Sequence, residues 1–131
     1  MQGTTVATNA VLTGKGAKVC LVTTAGFEST LQVARSFCPG GLVAGSALLK
    51  APFWHPLELT IGAKERMSAK GDTVRALDEA QLRVDLQTLH DTGKVEALTI
   101  CFINAYLNPA HEQRAKEIAA KIFTNTPIYI Q

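Results

Sequence analysis

Long apolar runs, blocks of like charge and a disulfide framework are all missing from this chain of 131 residues. No stretch nears the ~20 apolar residues of a membrane span. Met1-Gln2-Gly3-Thr4-Thr5 lacks the cationic start and apolar core of a secretory leader, so a soluble, cytoplasmic protein with no membrane partner is expected. Thirteen Lys plus Arg face eleven Asp plus Glu, and a net charge of +2, evenly spread, is too small to attract nucleic acid. Cys20, Cys38 and Cys101 make an odd count, and two lie in apolar runs where a thiol acts as a small hydrophobe. His55, His90 and His111 are far apart and no C-x2-C or H-x3-H spacing occurs, so no metal site is expected. Neither a Walker loop nor G-x-G-x-x-G is present, so a self-sufficient nucleotide cradle is not expected. With no G-x-S-x-G elbow and no motif that activates a cysteine, a stand-alone hydrolase of either kind is not expected.

What is there suits one α/β unit: 47% apolar and 18% charged residues supply a core for a single domain or a piece of a larger one. Val6, Ala7, Ala10 and Val11 fall at helical spacing between Thr4 and Lys15, with Gly14 and Gly16 as a stop. Lys18 to Thr23 reads as a strand buried on both faces, and Phe27, Leu31, Ala34 and Phe37 as a helix after Gly26, giving a βα unit. From Cys38 to Leu57 the Pro- and Gly-rich sequence predicts a long packed loop. Leu57 to Ile61 and Thr73 to Leu77 read as an antiparallel pair of strands. Asp78 caps a helix lined by Leu82, Leu86 and Leu89 and stopped by Gly93. Ala97 to Ile103 predicts a central strand. Asn108-Pro109 opens a helix, with Pro at its first position and Ala115, Ile118, Ala119 and Ile122 on its buried face. Pro127 to Ile130 forms a last strand, so close to Gln131 that the chain is expected to stop within a domain.

Two turns stand where ligands gather. Gly3-Thr4-Thr5 opens the first predicted helix, where free N–H groups and the dipole favour an anion, and Asn9 shares a face with Thr5; ordinary N-capping explains the same residues. Thr23-Thr24-Ala25-Gly26-Phe27 follows a strand's carboxyl end, the side of an open α/β sheet on which ligands bind, or is a plain turn. His111-Glu112 begins the helix after the most buried strand and points to the same crevice edge, with helix capping as the plainer reading. His90, near a helix end, suits the dipole without a catalytic role. Glu65-Arg66 and Asp72 either form a strand-edge salt bridge or contact a substrate, and an exposed pair of little energetic worth is the plainer reading.

The stretch Gly3-Thr4-Thr5-Val6-Ala7-Thr8-Asn9-Ala10 is similar to the H-G-T-T-x-A-T-N-A of the hydantoinase/oxoprolinase family. Lys15-Gly16-Ala17, Val22-Thr23-Thr24-Ala25-Gly26-Phe27, Glu65-Arg66-Met67 with Gly71, Leu77-Asp78-Glu79 and Tyr106-Leu107-Asn108-Pro109-Ala110-His111-Glu112 recur in family order. The chain thus resembles the N-terminal region of enzymes that include hydantoin and 5-oxoproline hydrolases and acetone and acetophenone carboxylase subunits. The resemblance implies an α/β fold, a mixed sheet with flanking helices belonging to an actin-like, ribonuclease H-like ATPase domain. It implies ATP with Mg as cofactor in the intact parent, with Gly3, Thr4, Thr5, Asn9, Thr23 and Thr24 on the cofactor side and His111 and Glu112 on the substrate side. ATP cleavage would activate a cyclic amide for hydrolysis or a ketone for carboxylation through a phosphorylated intermediate. Gln2 stands where the family usually has His, and the loop between Phe37 and Glu65 leans toward the ketone-carboxylase branch.

Residues 1–131 are therefore expected to form one segment that lacks the preceding D-x-G-G-T-x-T-D phosphate element and the following large domain, and to be inactive alone. Its expected partners are the remainder of its parent chain or a hydantoinase B-like subunit, with self-association through exposed apolar surface. The alternative is a non-catalytic interaction or regulatory module that docks through Leu48, Leu49, Phe53 and Trp54.

Overall fold

The computed structural model describes Thr13, residues 16–33 and residues 57–130. The predicted first helix, apart from Thr13, and the loop carrying Leu48, Leu49, Phe53 and Trp54 lie outside the described residues.

The architecture is α/β, as expected. Six strands are described: β1 (Val19–Thr24), β2 (Thr60–Ala63), β3 (Arg66–Met67), β4 (Thr73–Arg75), β5 (Ala97–Cys101) and β6 (Ile128–Ile130). Strands β2, β1, β5 and β6, in that spatial order, form a sheet whose pairings are all parallel. The central strands β1 and β5 bury Cys20, Val22, Leu98 and Ile100, which the pairings of Cys20 with Leu98 and Val22 with Ile100 place on one face of the sheet. Burial of each Leu, Ile or Val contributes roughly 1.5–3 kcal/mol.

One expected pairing is corrected. The segment from Leu57 to Ile61 does not pair with Thr73 to Leu77: Leu57–Leu59 is a turn of 3-10 helix, and β2 runs parallel to β1 with Val22 opposite Ile61. The antiparallel partner of β4 is β3, with Arg66 opposite Arg75. Sequence alternation reports which face of a strand is buried but not which strand lies beside it. Gly71, at φ 88°, closes this β3–β4 hairpin, a conformation that favours glycine.

Three helices are described: α1 (Thr30–Val33), α2 (Glu79–Asp91) and α3 (Ala110–Ile122). The predicted continuation of α1 to Phe37 lies outside the described residues. Helix α2 forms as its sequence dictates. The Asp78 side chain accepts from the Gln81 N–H at 3.0 Å, Leu82, Leu86 and Leu89 are buried, and the exposed face carries the Glu79–Arg83 pair. In α3 the cap is one residue later than expected: Pro109 holds the N-cap position and its carbonyl accepts from Gln113 N, while Asn108 Oδ1 accepts from Ala110 N at 3.1 Å. Ala115, Ile118 and Ala119 face the core, and Ile122 packs against it.

Chain direction explains the layering. The steps β2 to β5 and β5 to β6 move the same way across the sheet, and right-handed crossovers then put α2 and α3 on one face. There α2 contacts β2, α3 contacts β5 and β6, and the helices pack against each other, with Arg114 of α3 bound to Glu79 of α2 at 2.7 and 2.9 Å. The step β1 to β2 moves the opposite way. The connections leaving β1 and β5, neighbours in the sheet, therefore diverge, and a crevice between their carboxyl ends is built into the topology.

Candidate functional site

Four polar side chains converge at that crevice. Thr24 ends β1, Glu65 lies in the turn after β2, and His111 and Glu112 occupy the first turn of α3, reached from the end of β5. Each is placed by a strand end or the helix that follows one.

The geometry orders three of them into a chain of hydrogen bonds. Ile103 N–H, just past β5, donates to Thr24 Oγ1 at 3.0 Å. The Thr24 hydroxyl donates to Glu65 Oε1. The other carboxylate oxygen, Oε2, meets His111 Nδ1 at 2.8 Å. Thr24 is 1% exposed and Glu65 3%, while the His111 side chain keeps 13% of its surface in contact with solvent. A carboxylate taken from water needs compensating hydrogen bonds, and these two partners supply them. Because a hydroxyl proton is directed at one oxygen, the other is free to accept the Nδ1–H of the imidazole. The second ring nitrogen, Nε2, is then the one available for exchange with a ligand.

Glu112 works separately. Its Oε1 accepts the Phe102 N–H at 2.8 Å, and its residue is 1% exposed, so it holds the chain leaving β5 against the start of α3. Burial pushes the Cys101 thiol up from its ordinary range, and the Glu112 charge adds to the shift. Cys20, inside β1, is pushed up to about 12 by burial and is no nucleophile at neutral pH.

The loop from Phe102 to Asn108 is tied to the β3–β4 hairpin by two amides. Asn104 Nδ2 donates to the Met67 carbonyl at 3.1 Å and Asn108 Nδ2 to the Gly71 carbonyl at 3.0 Å. Asn104 has φ 66°, a left-handed conformation that Asn tolerates better than most side chains.

Of the residues singled out from sequence, Thr24 and His111 are brought together through Glu65. Thr23 is buried beside Thr24 within β1, and Glu112 lies next to His111 but binds Phe102. Gly3, Thr4, Thr5 and Asn9 lie outside the described residues, as do His55 and Cys38. His90 sits in the last turn of α2 with its ring edge-on to Phe123 at 5.0 Å. The reading of Glu65 as half of an exposed ion pair with Arg66 is overturned: it is buried and joins Thr24 to His111, while Asp72 accepts from Ser68 within the hairpin. Among the described residues no cluster of three or more His, Cys, Asp or Glu could hold a metal ion. None of the described helices is long and apolar enough to cross a membrane.

An α/β unit with a polar relay at the divergence of two parallel strands defines the class, and sequence comparison gives the family. Residues 1–123 match the hydantoinase/oxoprolinase N-terminal region, and the chain belongs to that family, as the motifs from Gly3 to Glu112 implied. It is 36% identical over 123 residues to the acetophenone carboxylase gamma subunit of Aromatoleum aromaticum, covering 88% of this chain and 16% of that one. Among solved structures it is similar to the ATP-dependent caprolactamase from Pseudomonas jessenii, with TM-score 0.79 and 26% identity over 95% of this chain and 18% of that one. It is also similar to acetone carboxylase in a nucleotide-free structure from work on ATP-dependent acetone carboxylation, with TM-score 0.78 and 25% identity over 93% and 18%. The chain thus spans less than a fifth of the length of these relatives.

Proposed function

We propose that this chain forms one wall of the active site of an ATP-dependent enzyme that hydrolyses a cyclic amide or carboxylates a ketone, and that His111 is its general base. The Thr24–Glu65–His111 relay carries this reading. Both reactions begin at a carbonyl flanked by a removable proton, the N–H of a cyclic amide or the Cα–H of a ketone. An imidazole with Nδ1–H held by a carboxylate has its Nε2 lone pair oriented to take that proton, leaving the charge on the carbonyl oxygen. The buried Thr24 hydroxyl fixes the carboxylate, and Ile103 N–H fixes the hydroxyl. The 36% identity to a ketone carboxylase subunit supports the ketone branch, and the likeness to caprolactamase supports the amide branch.

ATP with Mg belongs to the proposal for the intact parent rather than to these residues. Thr24 spends its hydroxyl on Glu65 and Ile103, and Thr23 is buried, so neither threonine is placed to cradle a triphosphate. The rest of the parent chain or a second subunit supplies the opposite wall, and the isolated chain is catalytically silent. A cytoplasmic location, where ATP is available, belongs to the same proposal.

The test uses the full-length parent with ATP and, in separate assays, 5-oxoproline, hydantoin, caprolactam, and acetone or acetophenone with bicarbonate. Turnover of one class is expected, with His111→Gln lowering kcat about 100-fold or more, the usual weight of a general base. Full activity in His111→Gln, or no turnover of any of these substrates, contradicts the proposal.

A further inference from the structure

Next to the relay stands a cation that the proposed proton transfer does not use. Arg66, adjacent to Glu65 in sequence, lays its guanidinium over the Phe27 ring with Cζ 5.0 Å from the centroid. Phe27 N–H in turn donates to the Thr24 carbonyl at 3.1 Å, a backbone bond that closes the turn after β1 and so fixes where the ring starts. Arg66 is thereby parked at the same strand end as His111. Its Nη1 is shielded from solvent and has no hydrogen-bond partner. The neighbouring carboxylates are spent elsewhere: Glu65 on Thr24 and His111, and Glu28 on the Gly26 N–H at 2.9 Å. Across the hairpin the residue opposite Arg66 is Arg75, a second cation, and like charges directly opposite destabilise a strand pair. A guanidinium held over an aromatic ring, with Nη1 short of an acceptor and another positive charge opposite, suits a group with two oxygens in one plane.

Resting on the catalytic reading above, we infer that Arg66 binds an oxyanion at the crevice, beside the atom that His111 deprotonates. The oxyanion is either the carboxylate or bicarbonate of the substrate side or a phosphate of the nucleotide. Phe27 holds the guanidinium in place, and the fork supplies the recognition.

Titration calorimetry on the full-length parent, with sodium bicarbonate and separately with inorganic phosphate, tests this without turnover. Wild type is expected to show saturable binding of at least one anion, Arg66→Gln to weaken it at least tenfold, and Arg66→Lys, which keeps the charge but loses the fork, to weaken it severalfold. Competition by ATP assigns the oxyanion to the nucleotide, and undiminished binding in the presence of ATP assigns it to the substrate. Absence of saturable binding to wild type, or unchanged affinity in Arg66→Gln, overturns the inference. If Arg66→Gln fails to fold, unchanged affinity in Arg66→Lys overturns it instead. A parent that binds the anion but turns over no substrate would sink the catalytic reading and leave this one standing.

Discussion

His111 Nδ1 and Glu65 Oε2 lie 2.8 Å apart although 46 residues separate them in the chain. One residue comes from the turn after β2 and the other from the first turn of α3, and Thr24 of β1 bonds to the remaining carboxylate oxygen. Three strand ends are therefore locked together by side chains as well as by the sheet. The relay serves stability and chemistry at once, and its parts separate under substitution.

Glu65→Gln keeps the shape but offers one acceptor and one donor where two acceptors are needed. With its oxygen kept toward the Thr24 hydroxyl, the amide NH2 faces His111 Nδ1, and the imidazole meets it by moving its proton to Nε2, which removes the lone pair that the proposed base uses. Chemical denaturation is expected to show a loss of only about 1 kcal/mol, a charge-assisted bond giving way to a neutral one. In the intact parent kcat should fall by at least tenfold while folding persists.

Thr24→Val and Thr24→Ser divide the role of the hydroxyl from that of the methyl. Valine strands both Ile103 N–H and Glu65 Oε1, and a loss of about 2–3 kcal/mol is expected. Serine retains both bonds and should lose less than half as much. Equal losses in the two variants would mean that methyl packing, not the relay, holds this position.

Cys20 gives a pH dependence of known sign. Its folded thiol titrates near 12 against an ordinary value of 9.0, so the unfolded chain loses its proton first as pH rises. Stability is complete below about pH 9 and declines between pH 9 and 12, by at most about 1.4 kcal/mol per pH unit from this group. Cys20→Ala or Cys20→Val should flatten that limb of the curve. Disulfide-exchange reagents at pH 8 should label Cys20 only at the rate of unfolding.

How much of this was legible beforehand depended on sequence distance. Helix α2 could be read because its determinants are local: Asp78 caps Gln81, and Leu82, Leu86 and Leu89 repeat at helical spacing. The β5 run could be read because its apolar residues are nearly continuous over a span too short for a helix. The partner of β2 could not, since a short alternating segment fits a hairpin as well as a parallel neighbour, and only the register with Val22 decides. Glu65 failed for the same reason. Beside Arg66 it resembles any surface ion pair, and nothing local reveals that the turn after β2 folds under the end of β1. His111 was placed at the right edge because both of its neighbours, the end of β5 and the start of α3, were visible in the sequence.

Asn104 allows backbone and side chain to be tested apart at the lip of the crevice. Its φ of 66° is costly for alanine, by roughly 1–2 kcal/mol, but not for glycine. Its Nδ2 bond to the Met67 carbonyl, absent in both variants, ties the loop after β5 to the hairpin that carries Arg66. Asn104→Gly should therefore lose only the tie and Asn104→Ala the tie plus the strain, so alanine is expected to be the less stable by about 1–2 kcal/mol in denaturant unfolding. Hydrogen exchange adds the functional reading. If the tie positions the hairpin, amides of residues 66–75 should lose protection in both variants alike, while those of β1 and β5 keep theirs. Faster exchange confined to alanine would instead assign the effect of residue 104 to its backbone conformation.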